Sequence, residues 1–376
     1  MNILVTNYRD RLNPNAGGAE KHLHRIFSRL SNMGHRVVLF TTCFKGSCPR
    51  EVVDGILVVR CGGDLLFQWN VLRNLKKLDE EFHFDVVVED LNKLPVFVPW
   101  VLKKPVLVQM HHLWRGSIFA EAFFPIAFGV WLFETLIPLF YRKNPFVVVS
   151  PSTKKELASL GIKESRIDVV YNGTDEAVSE DSKEVAAADE EKPYFLWLSR
   201  VHRYKGIWVA LDAFKKFSAM YPEVQLMVAG GGPLLGKLLG WLKRNGLEDK
   251  VELCGFVPLE KKKKLMERSL ALLQTSYKEG WGLTVVEAAL YGKPTVASDV
   301  AGLKDSVVHG KTGLLFEAGN VDACVRAMKK IYEDSALRKT LGENAKAYAK
   351  TFSWDTAAEQ TLSILEKLVE KNENAH

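Results

Sequence analysis

SYKEGWGLTVVEAALYGKPTVASD, residues 276–299, contains three pieces in a telling order. A polar, glycine-rich loop over 277–282 carries Glu279. A helix-like run over 283–291 carries Glu287. Gly292, Lys293 and Pro294 stop that run, and 295–298 reads as the next strand. Loop, helix start and strand together are the repeating unit of an open α/β sheet, and ligands bind such a sheet at these loops.

The same alternation extends outward through both halves of the chain. Short apolar runs at 3–6, 37–41, 55–60, 84–89, 105–110, 145–150 and 167–171 read as strands. Runs at 194–198, 225–229, 251–254, 271–274, 295–298 and 314–316 do the same in the second half. Helical spacing of apolar residues fills the gaps, for example Leu23, Ile26, Phe27 and Leu30 over 19–33. A short helix is expected over 152–160, with Ser152 as its candidate N-cap. The fold class expected is therefore α/β. With 376 residues the chain exceeds what one hydrophobic core usually organises, so two domains are expected. The clearest break in composition is the acidic, alanine-rich stretch at 174–192, which places a domain boundary at 190/191.

Composition sets limits without choosing a function. Hydrophobic residues make up 47% and charged residues 26%, which suits a folded domain with a sizeable core. The net charge of +6 is compatible with anionic small molecules, membranes or nucleic acid. The Lys261–Lys264 charge run has no interleaved aromatic residues, so it reads as a solvated helix face and no nucleic-acid partner is expected. Five scattered cysteines form no CxxC pair, which fits a reducing compartment. Met1 leads directly into a strand pattern, so a cytoplasmic protein without a signal peptide is expected.

Several polar residues fall immediately after expected strands, at the carboxyl edge of a sheet. Gly17 and Gly18 begin the first helix and could present backbone N–H groups to a phosphate or hydroxyl; the plain alternative is a tight turn. His111 and His112 follow the strand at 105–110, and the alternative there is a histidine capping a strand end. No zinc motif accompanies them, and no metal site is expected. In the second half, Arg200 and Lys205 follow one strand, Gly230–Gly232 and Gly255 follow the next two, and Glu279, Gly282 and Glu287 follow the fourth. Cations beside a helix N-terminus form a diphosphate site that needs no metal. The segment 117–141 (SIFAEAFFPIAFGVWLFETLIPLFY) is strongly apolar but is interrupted by Glu121, Glu134, Pro125 and Pro138, and Arg142 and Lys143 close it. It suits either a surface helix at a membrane or acceptor, or a helix buried between domains or subunits.

Glu279 and Glu287 bracket seven residues. With Ser199-Arg200…Lys205-Gly206, Val170–Gly173, Gly230–Pro233, Gly255-Phe256, Gly292–Pro294 and the Asn15–Glu20 loop, this resembles the Glu-x7-Glu retaining glycosyltransferases. That large family includes sucrose and glycogen synthases and phosphatidylinositol mannosyltransferases. The resemblance covers nearly the whole chain and implies a GT-B fold: two Rossmann-like domains facing across a cleft. It implies an acceptor-binding domain at 1–190, a nucleotide-sugar domain at 191–353, and a helix at 354–376 crossing back to the first domain. By the same resemblance, His111, Arg200, Lys205 and Glu279 would be catalytic. Gly18, Arg200, Lys205, Gly255, Phe256, Val257, Gly282, Leu283, Thr284 and Glu287 would hold the donor, a UDP-sugar or GDP-sugar. No cofactor is implied. The acceptor would be a glycan or lipid-linked hydroxyl, with peripheral contact of 117–143 on the inner face of a membrane, and an oligomer is left open. A sugar-phosphate epimerase of similar architecture and a non-catalytic nucleotide-sugar-binding protein are the alternatives. Thr275 and Thr284 stand where many members have proline, and Gly231 stands where aspartate is common.

Overall fold

In the computed structural model, which describes residues 1–91, 94–174 and 192–374, the strands form two separate sheets. The expected boundary and almost all of the acidic stretch around it lie outside the described residues.

The first sheet contains β1 (Asn2–Thr6), β2 (Arg36–Thr41), β3 (Arg50–Val53), β4 (Ile56–Arg60), β5 (Val86–Asp90), β6 (Val106–Met110), β7 (Phe146–Val148) and β8 (Ile167–Val169). Their order is β3-β4-β2-β1-β5-β6-β7-β8. Every pairing is parallel except the β3–β4 hairpin at the edge. Valine-rich strands such as β5 are buried along their full length, as expected when helices cover both faces of a parallel sheet. Val38, Phe40, Val87 and Val108 pack with Val71, Leu75 and Leu78 of the Phe67–Phe82 helix. Each such fully buried side chain stabilises the unit by roughly 1.5–3 kcal/mol relative to exposure. This unit comprises Met1–Ile118, Phe123–Gly173 and Phe352–His376.

The second unit comprises Phe119–Ala122 and Thr174–Thr351. Its sheet contains β9 (Tyr194–Leu198), β10 (Gln225–Ala229), β11 (Val251–Gly255), β12 (Leu272–Gln274), β13 (Thr295–Ser298) and β14 (Gly313–Phe316). All are parallel, in the order β11-β10-β9-β12-β13-β14. Counted from β9, this is the doubly wound order 3-2-1-4-5-6, with its switch point between β9 and β12. The α/β class and the two Rossmann-like sheets agree with the sequence reading.

Three local expectations need correction. The helix N-cap near 150 is Ser150, not Ser152: its hydroxyl accepts from Thr153 N at 3.2 Å, and Pro151 takes the first helical position, where no N–H is needed. The edge strand β3 was not expected, because REVV is too polar and too short to stand out. Pro138 does not interrupt the apolar segment. The helix runs Phe124–Tyr141, with Pro125 in its first turn, where no N–H is needed, and Pro138 inside its last, where the one bond its N would have donated to Glu134 O is lost.

Glu134, on that helix, faces inward. Its two oxygens accept from Trp114 N at 2.6 Å and Arg115 N at 2.7 Å. A second buried carboxylate, Glu89, ends β5. It accepts from Val96 N at 2.7 Å, Phe97 N at 3.1 Å, Val98 N at 3.1 Å and the Tyr141 hydroxyl at 2.5 Å. Burial raises the Glu89 pKa against these donors. Tyr141→Phe removes one donor from a fully buried carboxyl group. It should destabilise the first unit by about 1–3 kcal/mol, read as a lower denaturant midpoint for that unit's unfolding; an unchanged midpoint would show that the hydroxyl contributes nothing.

Candidate active site

The switch point of the second unit explains why two distant loops meet. The loops after β9 and β12 leave neighbouring strands in the same direction, and they carry Lys205 and Glu279. Lys205 Nζ donates to both Glu279 oxygens, at 2.7 and 2.6 Å. Both side chains are largely shielded, with 10% and 15% of their surface exposed. The ammonium also lies 4.9 Å from the Tyr204 ring centroid, a cation–π contact. Arg200 is exposed and donates from Nη2 to the Tyr204 hydroxyl at 3.0 Å.

Backbone close approach locks the two loops together. Gly206 has φ +67°, and a Cβ there would lie 1.8 Å from Thr275 O. Thr275 Oγ1 donates to Gly206 O at 2.8 Å and accepts from Trp197 Nε1 at 3.1 Å, while Tyr277 N donates to Tyr204 O at 2.7 Å. On the far side, Gly302 (φ +82°) leaves room for the Glu279–Gly280 backbone, since a Cβ would lie 2.5 Å from Glu279 O.

Gly282 is the left-handed N-cap of the Leu283–Leu290 helix. The helix therefore opens with its first N–H groups beside the Glu279 loop. Thr284 is in the first turn, and its Oγ1 accepts from buried Gln274 Nε2. Thr275 and Thr284, the two departures from proline, are thus both tied into hydrogen bonds of the loop floor. Glu287 is paired with Lys262, whose Nζ donates to Oε2 at 2.6 Å. The sequence reading placed Lys262 on a solvated face. Its neighbours Lys261 and Lys264 are indeed exposed, but Lys262 turns inward. Only its position within the helix distinguishes it, and a run of four lysines hides that phase.

Gly255 has φ +61° and ends β11 beside a register shift between Val228 and Ala229 of β10. The chain turns outward there, leaving Phe256 86% exposed while Val257 is buried. Gly231 has open space where a Cβ would stand, so no steric reason for glycine appears there.

In the first unit, Gly17 is the N-cap of the Gly18–Asn32 helix, and its N–H donates to Glu20 Oε2 at 2.7 Å. His111 follows β6 and is buried. Its Nε2 lies 3.1 and 3.2 Å from the two oxygens of Asp90, at the end of β5. His22 packs edge-on against it at 4.8 Å between ring centroids. His22 Nδ1 lies 2.5 Å from Asn172 Oδ1. Burial, then the charge of His111, pushes the His22 pKa down to about 3. The sequence reading singled out neither Asp90 nor His22; the only signal was Asp90's place at a strand end. His112 is half-buried, with its ring 5.1 Å from that of Trp114. A small cavity lies beside it, lined by Leu91, Pro95, Met110, Trp114, Glu134 and Ile137.

Among the described residues, no group of three or more His, Cys, Asp or Glu side chains is arranged to hold a metal ion. In the second unit, Glu121 accepts from Tyr204 N and lies 3.6 Å from His202 Nδ1, so this acid serves the cationic loop.

Two family profiles match in tandem. "Glycosyltransferase Family 4" covers residues 16–178 and "Glycosyl transferases group 1" covers 178–348. An uncharacterized glycosyltransferase of Methanocaldococcus jannaschii is 28% identical over 94% of this chain and 96% of its own. Sucrose-phosphate synthase of Thermosynechococcus elongatus superposes with a TM-score of 0.81 at 20% identity, over 98% of this chain and 99% of that one. HepE of Anabaena, solved with UDP-glucose, gives 0.76 at 22% identity over 98% and 100%. The chain belongs to the GT-B glycosyltransferases and is a glycosyl-transferring enzyme.

The loop lock gives a direct test. Gly206→Ala forces an L-residue into the left-handed region and a methyl group into Thr275 O. A loss of at least about 1–2 kcal/mol is expected, measured by chemical denaturation. Wild-type stability would mean that the two loops can separate freely.

Proposed function

We propose that this enzyme transfers a hexose, with retention of configuration, from a nucleoside-diphosphate sugar to a hydroxyl of a glycan or lipid-linked acceptor. The observation that carries this reading is the shielded Lys205–Glu279 pair at the opening of the Gly282-capped helix, with Glu287 one turn further on. A lysine held by two carboxylate oxygens is a fixed cation. Beside it lie exposed Arg200 and the N–H groups of Gly282, Leu283 and Thr284. Together they form an anion site suited to a diphosphate. Glu287, with Lys262 as its counter-ion, accepts ribose hydroxyls. Exposed Phe256, with Gly255 and Val257, offers a face to the base. HepE's UDP-glucose supports a UDP-sugar as the first donor to try.

In the reaction, the bond between the anomeric carbon and the phosphate oxygen breaks, and its electron pair stays on that oxygen. Arg200 and Lys205 stabilise the charge that develops there, preorganised and without reorganisation cost. Glu279 orients sugar hydroxyls while it keeps the Lys205 ammonium in place. The acceptor oxygen bonds to the same face of the anomeric carbon, and its proton passes to the departing phosphate oxygen. Gly18 and His111, in the first unit, contact the donor phosphate and the transferred sugar.

The acceptor is assigned to the first unit, where the cavity beside His112 adjoins the Phe124–Tyr141 helix. That helix is long and apolar enough to cross a membrane by length and composition, yet only 22% of it is buried. Phe123, Phe124, Ile126 and Leu139 are each more than 60% exposed. An apolar face of this kind calls for a covering partner. We assign it to peripheral contact with the cytoplasmic face of a membrane, aided by Arg142 and Lys143.

The decisive assay is a screen of UDP- and GDP-sugars for thermal stabilisation, followed by transfer to extracted glycans and lipids. Lys205→Ala should reduce turnover by about 100-fold or more; near-normal turnover would sink the assignment. Glu287→Ala should weaken nucleotide affinity about tenfold, read by calorimetry. In vesicle flotation with anionic lipid, a triple serine variant at Phe124, Ile126 and Leu139 should lose most of its bound fraction. Equal flotation of variant and wild type would remove the membrane assignment.

A further inference from the structure

His111 is packed in a cluster in which every polar neighbour has a definite place. Asp90 approaches Nε2 with both oxygens, at 3.1 and 3.2 Å. Asp90 is itself 4% exposed and sits at the end of β5, directly beside β6 in the sheet. On the helix side, His22 meets the ring edge-on, and Glu20, two residues earlier and also buried, adds a second negative charge. Thr153 Oγ1 reaches the His111 carbonyl at 3.5 Å, which ties the backbone of the turn to the Pro151–Ser159 helix. His22 is held in turn by Asn172 and packs edge-on against Trp354 with ring centroids 6.0 Å apart. Gly173 follows Asn172 with no room for a side chain, since a Cβ would lie 2.1 Å from Trp354 N. The imidazole of His111 thus sits in a rigid, nearly dry setting with two carboxylates and one neutral ring around it.

We propose that Asp90 is the positioning residue for His111. By occupying Nε2 with its carboxylate, Asp90 keeps His111 as a charged imidazolium and leaves Nδ1–H as the ring's donor toward an oxygen of the bound donor sugar. Asp90 does not touch substrate; it acts through the histidine. This assignment rests on the reading of His111 as a sugar-contacting residue. The electrostatic balance supports it. Burial favours the neutral ring, but the charge and hydrogen bond of Asp90, aided by Glu20, outweigh it and raise the His111 pKa. His22 is driven the opposite way by its own burial and by His111. The two rings in edge contact are therefore pushed in opposite directions, His111 toward the protonated form and His22 toward the neutral one. The cationic form is present below the raised pKa and is lost as pH rises through it, so any rate that depends on it falls on the alkaline side.

The test is a pH titration of the full chain labelled with 15N at histidine, in wild type and in Asp90→Asn, beside the pH profile of kcat/KM for transfer. In wild type, His111 should titrate above the ordinary histidine value with Nε2 as the hydrogen-bonded nitrogen, while His22 stays neutral over the same range. Asp90→Asn should lower the His111 midpoint by about one pH unit or more and move the alkaline limb of the rate profile down with it. A purely structural role for Asp90 would lower the rate at all pH values and leave the limb in place, which overturns the proposal. So does a wild-type His111 midpoint at or below the ordinary value, a result that stands even if Asp90→Asn does not fold. Should every nucleotide sugar fail as donor while the His111 midpoint still shifts in Asp90→Asn, the electrostatic coupling holds and the transfer reading is what fails.

Discussion

The loops at the switch point of the second sheet depend on one ion pair, Lys205 with Glu279, held where the strand order reverses. Removing an ammonium and a carboxylate from water costs several kcal/mol per ion, and their mutual attraction repays this only with good geometry. Two short contacts from one lysine to both oxygens provide that geometry. The net gain in stability from such a pair is still small. The pair makes better sense as preorganisation: each partner fixes the other, and with it the two loops that carry them. Around it, Gly206, Thr275 and Gly302 exclude other loop conformations through backbone contacts too close for a side chain.

The loop floor shows how an unusual sequence keeps this arrangement. A proline at 275 or 284 would restrain its loop through its own ring. Threonine gives up that restraint and adds a hydroxyl that needs a partner once buried. Thr275 bridges Trp197 and the Gly206 carbonyl, and Thr284 takes a hydrogen bond from Gln274. Gln274 is itself a polar residue at the end of an otherwise apolar strand, and its amide also reaches Leu198 O at 3.3 Å. The polar residues at 274, 275 and 284 therefore form one solution. Replacing Thr275 would leave the buried Trp197 Nε1 without its partner, whereas the Gln274 amide keeps Leu198 O if Thr284 is lost.

What the sequence could reveal follows the range of the forces involved. Strands β9, β10 and β13 are legible to the residue because each has an apolar centre bounded by turn residues. The placement of Glu279, Glu287, Arg200, Lys205 and Gly282 is legible because each is short-range: a residue type at a strand end or a helix start. The buried cluster around His111 is not. His22 and Asn172 are 150 residues apart, and nothing local to either announces the other. Lys262 is hidden for a different reason, since four consecutive lysines cover every side of the helix. Only packing shows which of them faces Glu287.

The apolar helix of the first unit shows the same distinction between composition and direction. In sequence, Glu134 interrupts a hydrophobic run and argues against a lipid-facing surface. In the structure it points inward, hydrogen-bonded by the N–H groups of Trp114 and Arg115, and it fixes the turn after His112. Drawing the one acidic residue of that helix into the protein leaves its outer side to Phe124, Ile126, Phe128, Leu132 and Leu139. A carboxylate that in sequence argues against the membrane reading is therefore turned away from an outer face whose one exposed polar side chain in the helix is Thr135. It also couples that face to the loop carrying His112 and Trp114, so the exposed apolar side of the helix and the loop beside the small cavity share one buried anchor.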